Sequence, residues 1–398
     1  MKIPIISLGS NAAVPMLVRA ASVGANFAVM MGLAAYLGLE AFGALAVLWG
    51  VALVVAPILS WGGPLLLLRA LTAGGVSPTG LLLHLVTLPA GAAVAGLLLC
   101  PIIWPPLPWV AIILAAFAIN FLTGLASMMR AMGSVNLSMV LRDCGPQLGL
   151  GIAAMTADHV LIGAMVWMGL FALLGLVWTG TRPAAGKIIN AAHKTPAISA
   201  SLWGTSVLGV GLAQVDIILG GALLSPAQIG IYVVLRRVAN LVALPVSVAT
   251  WVSANAVSKT HAQGDFAGLS SASQLGSKVA LLPGMALFCV GVLALPFLPS
   301  GAPAIFAVLL AGAALQVVFA SGFTVATLCG MARFAVMARA ASLLIYLACA
   351  GGVSDPFENA LAYVAAITCG SALLWWLVWR RAGVDTSAFA LGAKWRFS

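Results

Sequence analysis

Six charged side chains stand inside stretches that are otherwise apolar: Arg19, Arg142, Asp143, Asp216, Arg236 and Arg237. A charge at the centre of a bilayer costs about 2.5–3.5 kcal/mol on insertion scales. Each therefore calls for a partner, a hydrated cavity or a bound ion. Guanidinium groups grip phosphate with two parallel hydrogen bonds, and a buried carboxylate can exchange a proton or hold a cation. The densest group lies between Gln214 and Asp265, where two apolar runs are joined by a Ser225-Pro226 turn. Asp216 lies in the first run, and Arg236 and Arg237 lie in the second.

Arg236 and Arg237 stand about ten residues past that turn, hence about 15 Å deep at the helical rise. Asn240 follows them within one turn. Asp216, on the antiparallel neighbour, is within reach of an arginine. One reading is a buried Asp216–Arg ion pair that fixes the hairpin. The other places one arginine on a cavity wall as a phosphate ligand. Two arginines allow both.

Arg19, Ser22 and Asn26 follow an i, i+3, i+7 spacing on one helix face. That stripe either lines a hydrated cavity or begins with an arginine that snorkels to the surface. Asn120, Thr123 and Ser127 repeat the spacing, where hydrogen bonding between helices is the competing reading. Arg142 and Asp143 are adjacent, hence about 100° apart on a helix and poorly placed to pair. Pro146 then removes a backbone donor. Either Arg142 faces a cavity with Asp143 as a titrating site, or both sit at the membrane interface. Proton or sodium coupling through Asp216 or Asp143 is the only cofactor-like requirement. His84 reads as a packed side chain, and the six scattered cysteines read as small buried hydrophobes rather than a metal or disulfide set.

The elements that position these groups follow from composition. Of 398 residues, 63% are hydrophobic and 7% are charged. That excludes a soluble domain and indicates an all-α polytopic membrane protein; the apolar runs are too long and too uniform for a β-barrel. The net charge of +10 is explained by topology and gives no indication of a nucleic-acid partner. Twelve apolar segments are long enough to span: 13–37, 42–68, 79–103, 107–129, 135–156, 160–179, 199–222, 226–256, 277–298, 303–329, 334–352 and 358–379. With the N-terminus in the cytoplasm, every Lys and Arg other than Arg19, Arg142, Arg236 and Arg237 falls at a cytoplasmic end or loop, including Arg339, which interrupts the cytoplasmic end of the 334–352 segment. The opposite loops hold Glu40, Asp158, Asp355 and Glu358 and no basic residue. This asymmetry sets the orientation, with both termini cytoplasmic.

The longest connection, 181–198, reads as a cytoplasmic linker between six-helix bundles at 1–180 and 199–379. The tail 380–398, with two arginines, a lysine and Trp395, reads as a contact with an anionic lipid surface. Phe42-Gly43 opens the second span and Pro57 follows; Ile229-Gly230 opens the eighth and Pro245 follows. Six helices is an even number, so the halves run in the same direction, as a parallel pseudo-twofold repeat about the membrane normal.

Leu37-Gly38-x-Glu40-x-Phe42-Gly43, Gly62-Gly63 and Arg69 in the first half, with Val215-Asp216, Leu219-Gly220, Gly230-x-Tyr232, Arg237 and Asn240-Leu241 in the second, resemble the polysaccharide transporters. These are the O-antigen-type (Wzx) flippases of the multidrug/oligosaccharidyl-lipid/polysaccharide exporter (MOP) superfamily. The peptidoglycan-precursor flippases are similar too, but usually carry two further helices. The resemblance implies a MATE/MOP-like pair of six-helix bundles in a V, alternating access, and a polyprenyl-diphosphate-linked oligosaccharide as cargo. It also implies a bacterial inner-membrane location, polysaccharide polymerase machinery as a partner, and Arg237 as the arginine of the family pattern.

The expected function is thus a lipid-linked oligosaccharide flippase, not an enzyme. Its cavity candidates are Arg237, Arg236, Arg142, Arg19, Asn26, Asn240 and Asn120, and its ion-coupling candidates are Asp216 and Asp143. A cation-coupled drug or metabolite antiporter is the alternative, although that chemistry favours carboxylates over arginines. A membrane enzyme of polysaccharide assembly is disfavoured by short extracytoplasmic loops. Reporter fusions after Leu39, Pro106, Asp158, Ser225, Gly301 and Asp355 should all read as extracytoplasmic; a cytoplasmic reading at Ser225 would sink the two-half topology.

Overall fold

The computed structural model describes residues 10–73, 75–103, 107–181, 195–246, 253, 256–257, 260–261 and 263–389. In hydrocarbon every backbone N–H and C=O must find its partner within the segment, so apolar runs of this length become helices. They are α1 (Ser10–Ser60), α2 (Gly63–Ala73), α3 (Pro78–Leu82), a π-helical turn (Leu83–Thr87), α4 (Leu88–Ile103), α5 (Trp109–Ala131), α6 (Val135–Asp143), α7 (Gly145–Thr156), α8 (Val160–Gly180), α9 (Ala200–Leu223), α10 (Pro226–Ala239), α11 (Phe266–Ala294), α12 (Ala302–Val318), α13 (Gly322–Leu328), α14 (Ala332–Ala350) and α15 (Pro356–Ala382). Local chemistry sets several starts. Ser225 and Gln228 form a reciprocal capping box before Pro226. Asp355 accepts from the N–H groups of Phe357 and Glu358, and Asp265 accepts from Gly268.

Nine of the described helices are long and apolar enough to span, ten if the bent pair Ala302–Val318 and Gly322–Leu328 is one span. The twelve expected segments differ from this at three places. Segments 13–37 and 42–68 fall largely in one continuous α1, interrupted at Gly38, whose φ of 78° and ψ of 161° are not helical. Segment 135–156 is divided at Cys144 into α6 and α7, because Pro146 withholds the N–H that the Arg142 carbonyl would accept. The tenth segment, 303–329, is bent by 43°. The membrane reading is carried by what the helices leave uncovered. Only 11% of the most apolar window of Pro78–Ile102, and of Phe266–Phe297, is buried inside the protein.

The chain divides into two compact units. The first reaches Leu33 and resumes from Ala52 to Trp203. Within it, His84 is buried in the π-helical turn and its Nε2 lies 2.8 Å from the Pro196 carbonyl. Trp203 stacks on Trp61 and donates to the Pro57 carbonyl.

The second unit joins residues 34–51 to everything from Gly204 onward. Here the two Gly positions noted in the sequence meet. A Cβ added at Gly43 would collide with the Pro226 carbonyl oxygen, and one added at Gly230 would collide with the Leu39 carbonyl oxygen. The two contacts map onto each other at one constant offset in sequence, as the parallel repeat requires. No side chain fits at either crossing.

Two expectations need correction here. The segment after α15 is no surface strap as far as it is described. Gly383 turns the chain back with a left-handed φ, and Val384, Asp385, Thr386, Ser387 and Ala388 are buried. Ser277 donates to the Thr386 carbonyl, Trp375 donates to Asp385, and the Ala388 N–H donates to the Val318 carbonyl. Nor are all the cysteines buried: Cys289, Cys349 and Cys369 lie on exposed helix faces. Residues 1–9, Pro106, most of the linker (182–194), 247–252 of the eighth segment and the end of the tail (390–398) lie outside the described residues.

Gly43→Ala and Gly230→Ala should each lower the thermal midpoint of the detergent-solubilised protein, by the equivalent of about 1–3 kcal/mol for overpacking. Gly32→Ala, with nothing within 4 Å of the new Cβ, should leave it unchanged or raise it.

Candidate functional site

In the second unit, α10 presents Tyr232 and Arg236 four residues apart, hence on one face. Arg236 Nε lies 2.8 Å from Asp216 Oδ2. The Tyr232 hydroxyl donates to the same oxygen at 2.5 Å. Arg236 Nη2 donates to the Ala213 carbonyl and to the Tyr363 hydroxyl, both at 2.8 Å. From α15, four residues before Tyr363, Asn359 donates to the Asp216 carbonyl at 3.2 Å and accepts from the Tyr346 hydroxyl at 2.6 Å. Asp216 is 0% exposed and Arg236 is 5% exposed. The other carboxylate oxygen, Asp216 Oδ1, is buried with no hydrogen-bond partner among the described residues.

The chemical consequence is a sealed, charge-compensated node joining α9, α10, α14 and α15. Its strong members are charge-assisted bonds in a medium of low dielectric. Of the two readings of the hairpin, the ion pair is what the geometry presents, and Arg236 is the arginine that makes it. Arg237 lies one residue on, about 100° round the helix and half-buried. Asn240 does not continue that helix: it is an exposed C-cap, where α10 gives way to a 3₁₀ turn (Asn240–Ala243).

In the first unit, the stripe on α1 docks on the break between α6 and α7. Arg19 Nη1 lies 3.7 Å from Asp143 Oδ2. Asn26 donates to the Asp143 carbonyl at 3.4 Å, and the Cys144 thiol donates to the Ser22 carbonyl at 3.2 Å. Arg142 Nε donates to Asp143 Oδ1 at 2.8 Å. The expectation that Arg142 and Asp143 point too far apart to pair is thus overturned. The helix ends at Asp143, and the long arginine side chain folds back along the chain to reach it. One carboxylate serves two guanidinium groups. Asn120 is buried, and along its stripe Thr123 and Ser127 return their hydroxyls to the Ile119 and Thr123 carbonyls of their own helix, with no bridge to another helix among the described residues.

Arg339, which interrupts the 334–352 segment and counts with its cytoplasmic end, is a residue the sequence did not single out for a site. Arg339 lies seven residues into α14, about 10 Å along the helix. Its Nη1 donates to the Thr205 carbonyl at 2.6 Å, and its guanidinium carbon lies 4.6 Å from the Phe323 ring centroid. Also missed were Tyr232, Tyr346, Asn359 and Tyr363. A signal was present: three of only four tyrosines belong to the node, and two of them, Tyr232 and Tyr363, stand four residues from Arg236 and Asn359 on the same helices. Among the described residues no group of three or more His, Cys, Asp or Glu could hold a metal.

No protein-family model matches the chain, and no curated protein matches it in sequence. Solved structures do match. An inward-facing multidrug resistance MATE family transporter of the MOP superfamily superposes with a TM-score of 0.66 at 11% identity, covering 94% of this chain and 98% of that one. The fold is the MATE fold. An outward-facing MATE family transporter gives 0.62 at 14% identity, with 93% and 94% covered. The Vibrio cholerae MATE transporter VcmN in its bent form gives 0.55 at 15%, with 94% and 95% covered. MATE-like architecture was expected from the sequence, and the protein is a multi-pass membrane protein with that architecture.

Asp216→Asn strands the Arg236 charge and should cost about 3–5 kcal/mol of stability. Tyr232→Phe removes one bond and should cost less, about 1–3 kcal/mol. The double variant Asp216→Asn/Arg236→Met, with neither charge left, should recover most of the loss. Thermal melts of purified protein check all three, and an unchanged Asp216→Asn midpoint would refute the node.

Proposed function

We propose that the protein is a flippase of the bacterial inner membrane. Its cargo is a polyprenyl-diphosphate-linked oligosaccharide destined for a surface polysaccharide, moved by alternating access of two six-helix halves. One observation carries this reading: among the charged residues interrupting the apolar spans, five arginines (Arg19, Arg142, Arg236, Arg237 and Arg339) outnumber two aspartates (Asp143 and Asp216). Asp216 is committed to Arg236, and Asp143 is shared between Arg19 and Arg142. Glu40 stands apart, exposed beside the break at Gly38. A surplus of cations in a medium this apolar suits an anionic head group, while the lipid tail of such a cargo can remain in the bilayer. The motif resemblance to Wzx-type flippases and the MATE fold support the same reading.

Arg237 is assigned to the cargo, because it lies about 100° round the helix from Arg236, whose guanidinium is taken up by the node. Asp216 and Asp143 remain the candidates for proton or sodium coupling, with Asp143 the more accessible of the two. Cytoplasmic termini and a downstream polymerase as partner belong to the same proposal.

The second reading, a cation-coupled drug antiporter, is favoured by the solved structures, which are multidrug resistance MATE transporters. The arginine surplus weighs against it, since cationic drugs call for carboxylates.

The two readings separate in a null strain. Arg237→Ala should abolish polysaccharide display while reaching the membrane at normal level, and Arg237→Lys should retain part of it, since lysine keeps the charge but loses the two-pronged grip. Normal display from Arg237→Ala removes that arginine from the mechanism. Wild-type protein that confers resistance to cationic dyes without affecting display would establish the antiporter reading.

A further inference from the structure

Arg339 is held by a backbone carbonyl, an aromatic ring and a close glycine rather than by a carboxylate. Its guanidinium is fixed on three sides, all within the second unit. Nη1 is tied to the Thr205 carbonyl of α9 at 2.6 Å. One face lies against the Phe323 ring of α13, with 4.6 Å between guanidinium carbon and ring centroid. Gly209 of α9 makes room for it, since a Cβ there would stand 2.7 Å from Nη1 and 3.0 Å from Cζ. No carboxylate forms an ion pair with it among the described residues. Among the described residues neither Nε nor Nη2 makes a hydrogen bond, and neither is among the fully buried polar atoms that lack a partner, so each keeps some exposed surface.

That combination is specific. Nε–H and one Nη2–H point the same way and form the edge that grips two oxygens of a phosphate at once. The opposite corner, Nη1, is the one consumed by the backbone. Stacking on an aromatic ring lowers the rotational freedom of the guanidinium and leaves its edge presented. Arg236 by contrast has its charge met by Asp216, whereas Arg339 has a backbone carbonyl and no carboxylate among the described residues.

We infer that Arg339, positioned by Thr205, Gly209 and Phe323, is an anion-binding residue whose ligand is the phosphate or diphosphate of a lipid with an apolar chain. The phosphate chemistry follows from the guanidinium edge. The lipid as its bearer rests on the proposed transport of an anionic amphiphile.

The test uses full-length protein in phosphatidylcholine nanodiscs, titrated with farnesyl diphosphate, inorganic diphosphate and farnesol. Farnesyl diphosphate should bind the wild type, and farnesol should not compete. Arg339→Ala should weaken binding by about tenfold or more, the loss of a charge-assisted pair of hydrogen bonds. Arg339→Lys should weaken it less. Gly209→Ala should weaken it with the arginine still in place, by displacing the guanidinium. Should Arg339→Ala fail to fold, Arg339→Lys and Gly209→Ala decide the matter, with their thermal midpoints required to match the wild type. Wild-type affinity in folded Arg339 and Gly209 variants overturns the inference and leaves the flippase proposal standing on Arg237. Equal binding of inorganic and farnesyl diphosphate upholds the anion site and overturns the lipid assignment. Binding of none of the three by the wild type overturns this inference and the anionic-cargo reading together.

Discussion

A carboxylate with no access to water must be met by a cation or it cannot stay charged, and the second unit is arranged around that constraint at Asp216. Arg236 neutralises it, Tyr232 donates to it, and Asn359 satisfies the backbone carbonyl of the same residue. Each partner comes from a helix that is otherwise apolar, and the helices are thereby held in one register. Hydrophobic burial sets no register in lipid, since the tails are as apolar as the side chains. The polar node does set one, because a shift of one residue on α10 or α15 would swing Tyr232 and Arg236, or Asn359 and Tyr363, about 100° away from their partners.

The first unit handles its charges by a different rule. Asp143 lies at a broken helix end, partly accessible, and is shared between two arginines at unequal distances. The break itself creates the docking point: the carbonyl of Asp143 and the thiol of Cys144 are what Asn26 and the Ser22 carbonyl engage. A sealed pair favours rigidity, whereas a shared, half-exposed carboxylate is easily repartnered. The two aspartates therefore differ in kind, although both are lone acids in apolar spans.

The crossing of Gly43 and Gly230 shows the repeat in physical terms. Two helix starts approach until each backbone touches the carbonyl of the other's preceding turn, and the same pair of contacts occurs twice under one sequence offset. Small residues at such crossings let backbones approach closely, which is how helices gain packing energy where no hydrophobic force drives them together.

The sequence by itself determined the class, the helical content, the repeat and the scarcity of buried charge, because hydropathy and helical periodicity are local and survive without knowledge of contacts. It also narrowed Asp216 to an arginine of α10. Only the tertiary structure decided that Arg236 rather than Arg237 takes that role, that Arg142 reaches its neighbour Asp143, and that Arg339 is held by the Thr205 carbonyl and the Phe323 ring. It alone showed the tail segment 384–388 folded into the second unit. These outcomes depend on side-chain reach and on which helices become neighbours. Two adjacent arginines have the same composition and depth, and a 100° turn separates them only once the partner helix is in place.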